Sequence, residues 1–551
     1  MSQATTDRIY QDFLEEMASL ERFRQHFHER YPAAPLERED PDVRRLIEAL
    51  AFFSVQTRHA TLQNLRSTWR RLFAGFFDFL LEPLPTAAVV QAVPTGKLGE
   101  AVVLPRGTEL RLAPADGVAG TFRLQRELRV LPVTLESTEV RPLVRGGHRL
   151  ILTFESRHER NDAVGTLSLH VRHLDEYLPS LAVFHALRQH LRSVSVVYGE
   201  RADEHSTGAT CAVSFGREAP APDDTAAYAH PLQQLRAAFL FPEPELFVHV
   251  EVPPAHGAWR RFSVCFDLAQ AWTVGRSHRP DFFVPFAVPV VNLKAEPAQV
   301  ITTDGTRSEH PIRNMSAGRE LALHSVTGVY ELTKAGLAPL RPAHLPGTGP
   351  SYEVEDVPGV NGPSPQLVLR MPEAFTTPRK LVVEALWHQP RFAAEASGRV
   401  GVTVPGRFIE GLDWRLVGPL QPHRDSPLHD DLTALTQLLA WKARATLGLD
   451  ELRAVLEHLG TPREGPFRRV LPLLRELSVS RVPDSALRGS GLRHVYEVVL
   501  EPFEPGLEPL VACFLDLVRR LLDAWNHEAS VELRATVAGV GPLTLPEGAR
   551  T

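Results

Sequence analysis

The stretch DPDVRRLIEALAFFSVQTRHA, residues 40–60, combines the signals that begin a helix with an apolar face that something must cover. Asp40 suits the N-cap, Pro41 the first helical position, and Asp42 the positive end of the helix dipole. Apolar residues then recur at steps of three and four, at Val43, Leu46, Ile47, Leu50 and Phe53. Either this chain or another protein must bury that face.

Helical patterns extend over residues 1–82. Residues 7–31 contain neither Pro nor Gly and repeat apolar residues at helical spacing, and the helix that begins at Pro41 is expected to end near Leu65. A third apolar run, LFAGFFDFLL at residues 72–81, stops at the step EPLP. We therefore predict an N-terminal helical segment over residues 1–82.

Short alternating runs separated by Pro and Gly follow the helical segment. They predict a first β-rich domain over residues 83–228, with a turn at 105–107 and a strand-helix-strand unit near its end. A second β-rich domain is expected over residues 229–410, with a long loop at about residues 342–365. Residues 411–551 mix helices and strands. The predicted fold class is α+β: a multidomain chain with mostly antiparallel β domains and a mixed α/β C-terminal domain.

The composition is that of an ordinary globular protein, with 43% hydrophobic and 23% charged residues among 551. The net charge of −6 comes from 60 basic and 66 acidic residues that are interspersed. Because no polybasic run is present, we expect no nucleic-acid partner and no binding to an anionic membrane surface. The 46 prolines are spread along the chain, which indicates breaks between many short strands.

Cysteine usage and hydropathy indicate a cytoplasmic protein. Cys211, Cys265 and Cys513 lie far apart and are odd in number, which argues against a disulfide framework or a zinc cluster. The N-terminus is polar and acidic, so we expect no signal peptide. No apolar run approaches the roughly 18 to 20 residues of a membrane span, so no direct membrane insertion is expected.

Catalytic motifs are missing from the sequence. It contains no GxSxG nucleophile elbow, no phosphate-binding glycine loop, no HExxH and no CxxC. Three local histidine pairs have spacings that suit no shared ligand: His26 with His28, His170 with His173, and His185 with His190. We therefore predict no enzyme activity, no cofactor and no metal site.

Several segments in a fixed order resemble one known family. They begin with the helix DPDVRRLIEALAFFSVQTRHATLQ and the turn VVLPRGTELR, followed by TFRLQRELRVLPV. HPLQQLRAAFLFPEPELFVHVEV, FAVPVVNLKAEPAQV with Pro289, Asn292 and Leu293, and HSVTGVYEL follow in mid-chain, and FLDLVRRLLDAWNHEASVEL comes near the end. In this order the segments resemble the TssF family (ImpG or VasA), baseplate subunits of the bacterial type VI secretion system.

The resemblance implies a structural role and an architecture like that of contractile-tail wedge proteins. TssF-like subunits form wedges with a TssG-like partner and further TssF copies, surround a hub and spike, and contact TssK-like and TssE-like proteins. Such wedges help to start sheath and tube assembly in a cytoplasmic baseplate docked at the inner-membrane complex. The resemblance implies no catalytic residue and no cofactor.

The quoted helix is the candidate partner-binding site. We hypothesise that Leu46, Ile47, Leu50 and Phe53 join a helical bundle with a partner chain. The alternative is that these residues pack only within residues 1–82 and the adjoining β domain. For the whole protein, the alternatives are a baseplate subunit of another contractile injection system or phage tail, or a cytosolic enzyme or sugar-binding protein on a β scaffold.

Overall fold

The structure is a computed structural model of the chain. It describes residues 3–31, 41–144, 146–217, 230–270, 282–316, 321–359, 362–373, 375, 377–406, 408–426, 428, 431–460, 465–483, 491–525 and 529–543. The helices in these ranges are α1 (Gln3–Arg30), α2 (Pro41–Leu81), α3 (Tyr177–His190), α4 (Pro231–Leu240), α5 (Phe392–Glu395), α6 (Leu432–Lys442), α7 (Leu449–His458) and α8 (Glu508–Trp525). The predicted N-cap Asp40 lies outside the described residues.

The strands are short and numerous, as the spacing of Pro and Gly predicts. Those before residue 220 are β1 (Ala87–Pro94), β2 (Val102–Leu104), β3 (Glu109–Asp116), β4 (Gly120–Leu124), β5 (Leu128–Val130), β6 (Val133–Pro142), β7 (His148–Arg160), β8 (Gly165–Val171), β9 (Leu191–Tyr198), β10 (Ala209–Thr210) and β11 (Ala212–Phe215). Those from residue 247 to 342 are β12 (Phe247–Val252), β13 (Trp259–Leu268), β14 (Phe283–Pro285), β15 (Ala287–Val291), β16 (Lys294–Pro297), β17 (Ile301–Thr303), β18 (Glu309–Pro311), β19 (Ala322–Thr333), β20 (Gly336–Pro339) and β21 (Arg341–Pro342). The remaining strands are β22 (Ser351–Gly359), β23 (Gly362–Arg370), β24 (Arg379–His388), β25 (Ser397–Thr403), β26 (Leu412–Gln421), β27 (Leu474–Pro483), β28 (Leu492–Leu500), β29 (Ala529–Val537) and β30 (Gly541–Leu543).

Helix α2 is longer than the sequence pattern predicts. The expected break between Leu65 and residue 72 is absent, and one helix runs from Pro41 to Leu81. The backbone leaves helical geometry only at Phe77, with φ −143° and ψ 40°. Residues 66–71, polar except for Trp69, interrupt the apolar pattern but contain no helix breaker, so the hydrogen-bonded ladder continues through them.

A six-stranded sheet in the order β25-β3-β4-β15-β1-β26 connects distant parts of the chain. In strand β1, which lies inside the sheet next to its edge strand β26, Val89 pairs antiparallel with Pro289 on one side and with Val417 on the other. Strand β1 is apolar except for Gln91 and is buried on both faces, as expected for a strand inside a core. The domain boundaries at 228/229 and 410/411 stay predictions, and the hydrogen bonds of this sheet cross both positions.

The buried side chain of Asn292 explains why the segment with Pro289, Asn292 and Leu293 needs an amide at this position. Its side chain is 1% exposed, and its amide Nδ2 donates to the carbonyl oxygen of Thr121 at 3.0 Å. Its Oδ1 accepts from the backbone N–H of Gln389 at 2.7 Å. One side chain therefore joins the end of β15 to β4 and to the end of β24.

The predicted strand-helix-strand unit corresponds to β8, α3 and β9, and its two strands lie in different sheets. β8, α3 and β9 follow one another in the chain, but β8 belongs to the sheet β11-β12-β8-β14 and β9 to the sheet β10-β9-β13-β7-β6. All neighbours of both strands are antiparallel. Because β9 starts at Leu191, directly after the end of α3 at His190, the chain passes to the second sheet without the loop that a crossover back to β8 would need.

Helix α4 replaces the start of the predicted second β region near residue 230. Pro231 occupies the first turn, and the Nδ1 atom of His230 accepts a hydrogen bond from the backbone N–H of Leu232 at 3.2 Å. Leu232, Leu235 and Phe239 are buried on one side of the helix. These capping and spacing signals are helical, and the FPEPE step that follows ends the helix before β12.

A separate core lies in the second β-rich region. The sheets β16-β24-β19-β20 and β18-β23-β22-β21 enclose buried residues that include Leu367, Val383 and Trp387. The predicted loop at residues 342–365 is wrong in its second half, where β22 and β23 form an antiparallel ladder from Ser351 to Arg370. Alternation of apolar and charged residues in SYEVEDV supplies the strand pattern that its many Pro and Gly neighbours conceal.

The C-terminal region is mixed, as predicted. The sheet β27-β28-β29-β30 contains a parallel pair, β28 with β29, joined through α8. Helix α8 buries one long apolar face, which includes Leu510, Phe514, Val518 and Trp525. That face belongs to a continuous core that also includes Phe73 and Phe77 of α2. The predicted fold class is confirmed.

Candidate partner-binding surface

Helices α1 and α2 form an antiparallel hairpin. Ser54 Oγ donates to the Glu16 carboxylate at 2.9 Å, and the Arg58 guanidinium lies 3.6 Å from the Asp12 carboxylate. Glu16 pairs with Ser54 and Asp12 with Arg58, so residue numbers fall along α1 as they rise along α2. The helices are therefore antiparallel, and the two pairs mark the register of the hairpin. We call residues 3–30 together with residues 41–76 the helical arm.

One side of α2 closes the seam of the hairpin. Ala51 is fully buried, Val55 is 2% exposed, and Ile47 is half-buried. The three residues follow one another at four-residue steps, and α1 lies along this part of α2. Of the four predicted contact residues, Ile47 therefore belongs partly to the arm's own seam.

The other three predicted residues lie together on the outside of the arm. Leu46 is 63% exposed, Leu50 is 60% exposed and Phe53 is 66% exposed. They follow at steps of four and three residues, which places them on one face of the helix. We call Leu46, Leu50 and Phe53 the outer stripe. Large apolar side chains grouped in this way on a surface typically mark an interaction site.

A shallow groove adjoins the outer stripe. It has a volume of about 550 Å³ and is lined by Leu50, Phe53, Ser54, Thr57, Arg58, Thr61 and Leu62. Apolar side chains lie at its two ends, with the hydroxyls and the Arg58 guanidinium between them. A groove of this composition suits an amphipathic helix, whose apolar residues anchor while its rim contacts polar groups.

Further exposed apolar residues lie on the arm outside the predicted contact set. They are Phe52, Leu62, Leu65, Leu72 and Phe76 on α2 and Tyr10, Leu14 and Phe23 on α1, all between 44% and 68% exposed. The helix predicted to end near Leu65 separated Leu72 and Phe76 from the rest. A continuous helix through residues 66–71 would have assigned them to the same element.

The arm joins the body of the protein through buried aromatic rings. Phe73 is fully buried and Phe77 is 1% exposed, with ring centroids 5.2 Å apart. The Phe77 ring stacks on the Trp525 ring of α8 at 6.1 Å. Exposed Leu72 and Phe76 alternate with these anchors, so the boundary between body and surface falls within this turn of α2.

The structure separates His170 and His173, the pair at the end of β8. His170 is fully buried and its Nε2 lies 3.2 Å from the carbonyl oxygen of Glu243, whereas the His173 ring packs edge-on against Phe282. Burial lowers the pKa of His170 to about 3, so its ring is neutral at pH 7. Among the described residues, no group of three His, Cys, Asp or Glu side chains is placed to hold a metal ion.

A second histidine cluster lies where β19 and β24 meet the body. The His388 ring stacks on His423 at 4.8 Å, and the His324 ring lies edge-on to His388 at 6.0 Å. Burial lowers the pKa of His324 to about 4 and that of His388 to about 3. His423 Nε2 lies 3.0 Å from the Asp425 carboxylate, and His324 Nδ1 lies 4.0 Å from that of Glu82.

Comparisons with known proteins agree with the resemblance in the sequence. A chain in a structure of the type VI secretion system TssK-TssF-TssG baseplate subcomplex is 18% identical, with a TM-score of 0.73 over 92% of this chain and 99% of that chain. A chain in a structure of the baseplate complex from the type VI secretion system is 17% identical, with a TM-score of 0.63 over 97% of this chain and 98% of that chain. These likenesses show a shared fold.

Sequence comparison identifies the family. A search of curated protein sequences found no match. Of the helices that the structure describes, none has the length and apolar character needed to cross a bilayer. The family model for the type VI secretion system protein TssF matches residues 5–350. Because that match covers more than half of the 551 residues, the chain belongs to the TssF family.

Proposed function

We propose that this protein is a structural subunit of a type VI secretion system baseplate. It forms wedges with a TssG-like partner and further TssF copies, and the wedges surround the hub and spike and help to start sheath and tube assembly. Membership of the TssF family supports this role. A similar fold in a structure of a TssK-TssF-TssG subcomplex supports TssG-like and TssK-like partners. We propose a TssE-like protein as a further neighbour.

The helical arm is the proposed contact with the partner, and the outer stripe is the observation that carries this proposal. Leu46, Leu50 and Phe53 are each about three-fifths exposed in the single chain. Fully burying a side chain of this size contributes roughly 1.5 to 3 kcal/mol, so covering what remains exposed on three of them is a substantial driving force. A helix of the partner that completes a bundle with α1 and α2 would bury them.

The proposed role requires no catalysis. We propose that the protein is not an enzyme and that it acts in the cytoplasm, in a baseplate docked at the inner-membrane complex. A structural subunit works through rigid domains and interfaces, and the many-stranded body with its continuous core supplies the rigid part. A baseplate of another contractile machine would use the same parts, and the partners recovered from cells distinguish the two.

The first experiment is a native purification of the tagged chain from its own cells, followed by mass spectrometry of the bound proteins. Recovery of a TssG-like and a TssK-like protein is expected. Recovery of baseplate proteins from another contractile system would move the role to that machine. A chain recovered as a lone monomer, at native abundance and in mild salt, would overturn the baseplate role.

The second experiment tests the outer stripe directly. Leu50→Glu places a charge in the proposed interface and should abolish recovery of the TssG-like partner while the thermal unfolding midpoint of the isolated chain stays near the parent value. Gln56→Glu is the matched control, since Gln56 is exposed on the same helix outside the stripe. A folded Leu50→Glu chain that still assembles would exclude this surface as the contact.

A further inference from the structure

The arm is attached to the body at a bend. Phe77 leaves helical geometry while its side chain stays 1% exposed in the core, so the backbone of α2 turns at an anchored residue. Sharp kinks in helices have identifiable local causes, among them glycine and inserted side chains. Gly75 lies two residues before the bend, and a Cβ atom added there would meet no atom within 4 Å. Close packing therefore does not require glycine at this position, where it loosens the helix.

A charged contact crosses from the arm to the second β-rich region. Arg71 lies six residues before Phe77, and its Nε atom lies 2.8 Å from the Glu353 carboxylate and 3.0 Å from that of Glu355. A terminal guanidinium nitrogen of Arg71 also contacts Glu355. Glu353 and Glu355 alternate along β22, so both carboxylates project from the same face of the strand.

Water reaches this contact mainly at the arginine. The Arg71 side chain is 43% exposed, and the Glu353 and Glu355 side chains are 19% and 24% exposed. Glu353 is shared with Arg370, whose guanidinium lies 3.2 Å away. Ion pairs that water reaches are weakened by salt, because the screening length falls from about 10 Å at 0.1 M to about 3 Å at 1 M.

We propose that Phe77 is a hinge of the helical arm and that the pairing of Arg71 with Glu353 and Glu355 is an ionic latch that holds the arm against β22. In the closed state the latch fixes the direction in which the outer stripe points. When the latch opens, the arm turns about the buried Phe73 and Phe77 rings, which stay in the core, and the direction of the stripe changes. The proposal concerns the isolated chain and goes beyond the baseplate role.

Distance measurement between two spin labels tests the latch. One label is placed at Gln56→Cys on the arm and the other at Lys334→Cys in the turn between β19 and β20, both exposed positions. The chain without introduced cysteines measures labelling of the native thiols. The latched chain in low salt should give one narrow distance distribution. Arg71→Gln should broaden and shift that distribution, and about 1 M salt should do the same to the unmutated latch.

Two further variants make the test specific. Arg44→Gln removes an ion pair within α2, where Arg44 Nε lies 3.1 Å from Glu48, and should leave the distribution unchanged. Gly75→Ala stiffens the helix before the bend and should narrow the distribution again in the Arg71→Gln chain. If Arg71→Gln does not fold, the pair Glu353→Gln with Glu355→Gln replaces it.

The outcomes separate this proposal from the baseplate role. An unchanged distribution in Arg71→Gln and in high salt would overturn the latch, because the buried rings alone would then fix the arm. Broadening in Arg44→Gln as well would show that any lost charge loosens the arm, which also overturns it. Neither result depends on a partner, so the measurement stands whether or not purification from cells recovers a TssG-like protein.

Discussion

The Phe77 ring of α2 stacks on the Trp525 ring of α8, with centroids 6.1 Å apart and ring planes at 22°. The contact joins residues 448 positions apart in the sequence, near the end of the first helical segment and at the end of the last helix. Since both rings belong to the continuous core, the contact joins the end of α2 to the C-terminal region.

Phe77→Ala should destabilise the whole protein. Removing a buried aromatic ring typically costs about 3 to 5 kcal/mol, from lost apolar burial and from the cavity left behind. Phe76→Ala is the matched control, because that neighbouring ring is 64% exposed and its loss should cost less than about 1 kcal/mol. Urea unfolding followed by tryptophan fluorescence measures both. Equal losses for the two variants would contradict the anchoring role of Phe77.

Asn292→Leu should destabilise the junction between the six-stranded sheet and β24. The substitution keeps the branched shape of the side chain but leaves the carbonyl oxygen of Thr121 and the N–H of Gln389 without their partner. Each buried polar group left unsatisfied costs about 1 to 3 kcal/mol. Thermal unfolding measures the effect, with exposed Asn64→Leu on α2 as the control. A midpoint that matches the control would show that water replaces the amide.

Acidification should weaken the protein through His388 and His324. Burial lowers the pKa of His388 from 6.5 to about 3, so the folded state prefers the neutral ring. The unfolded chain takes up a proton as the pH falls below about 6.5, whereas the folded chain does not until about pH 3. The stabilisation is therefore complete above pH 6.5 and is lost progressively below it, by about 2 kcal/mol for His388 at pH 5.

Charged and titratable groups around His324 and His388 also affect the protonation of these two rings. His423 and His324 oppose a proton on His388 and Asp425 favours one, while Arg236 opposes a proton on His324 and Glu82 lies near it. His388→Gln should flatten the decline in unfolding free energy between pH 7.5 and pH 5. His26→Gln, on the surface of α1, should follow the parent curve. A His388→Gln chain with the parent slope would place the acid sensitivity elsewhere.

The sequence predicts the local helices and strands of this fold better than it predicts which elements pack or pair with one another. Helical spacing identifies the apolar residues of α2, because that period depends only on neighbours along the chain. Which of them face outward depends on the side of α2 against which α1 packs, marked by buried Ala51, and the pattern alone therefore grouped Ile47 with the outer stripe. The same limit applies to β8 and β9, since the pattern predicts both strands but the sheet that each strand joins is decided by distant partners.

Removing the outer stripe should reduce self-association of the isolated chain without raising its free energy of unfolding. Leu46→Gln with Phe53→Gln replaces two side chains that are 63% and 66% exposed. Because the folded state loses little buried apolar surface, the free energy of unfolding should change by less than about 1 kcal/mol. Association between chains should fall, because exposed apolar patches drive it. Light scattering across a concentration series measures this. Ala51→Gln, at a fully buried seam position, is the contrasting control and should instead loosen the hairpin. Unchanged association in the double variant would mean that another surface holds the copies together.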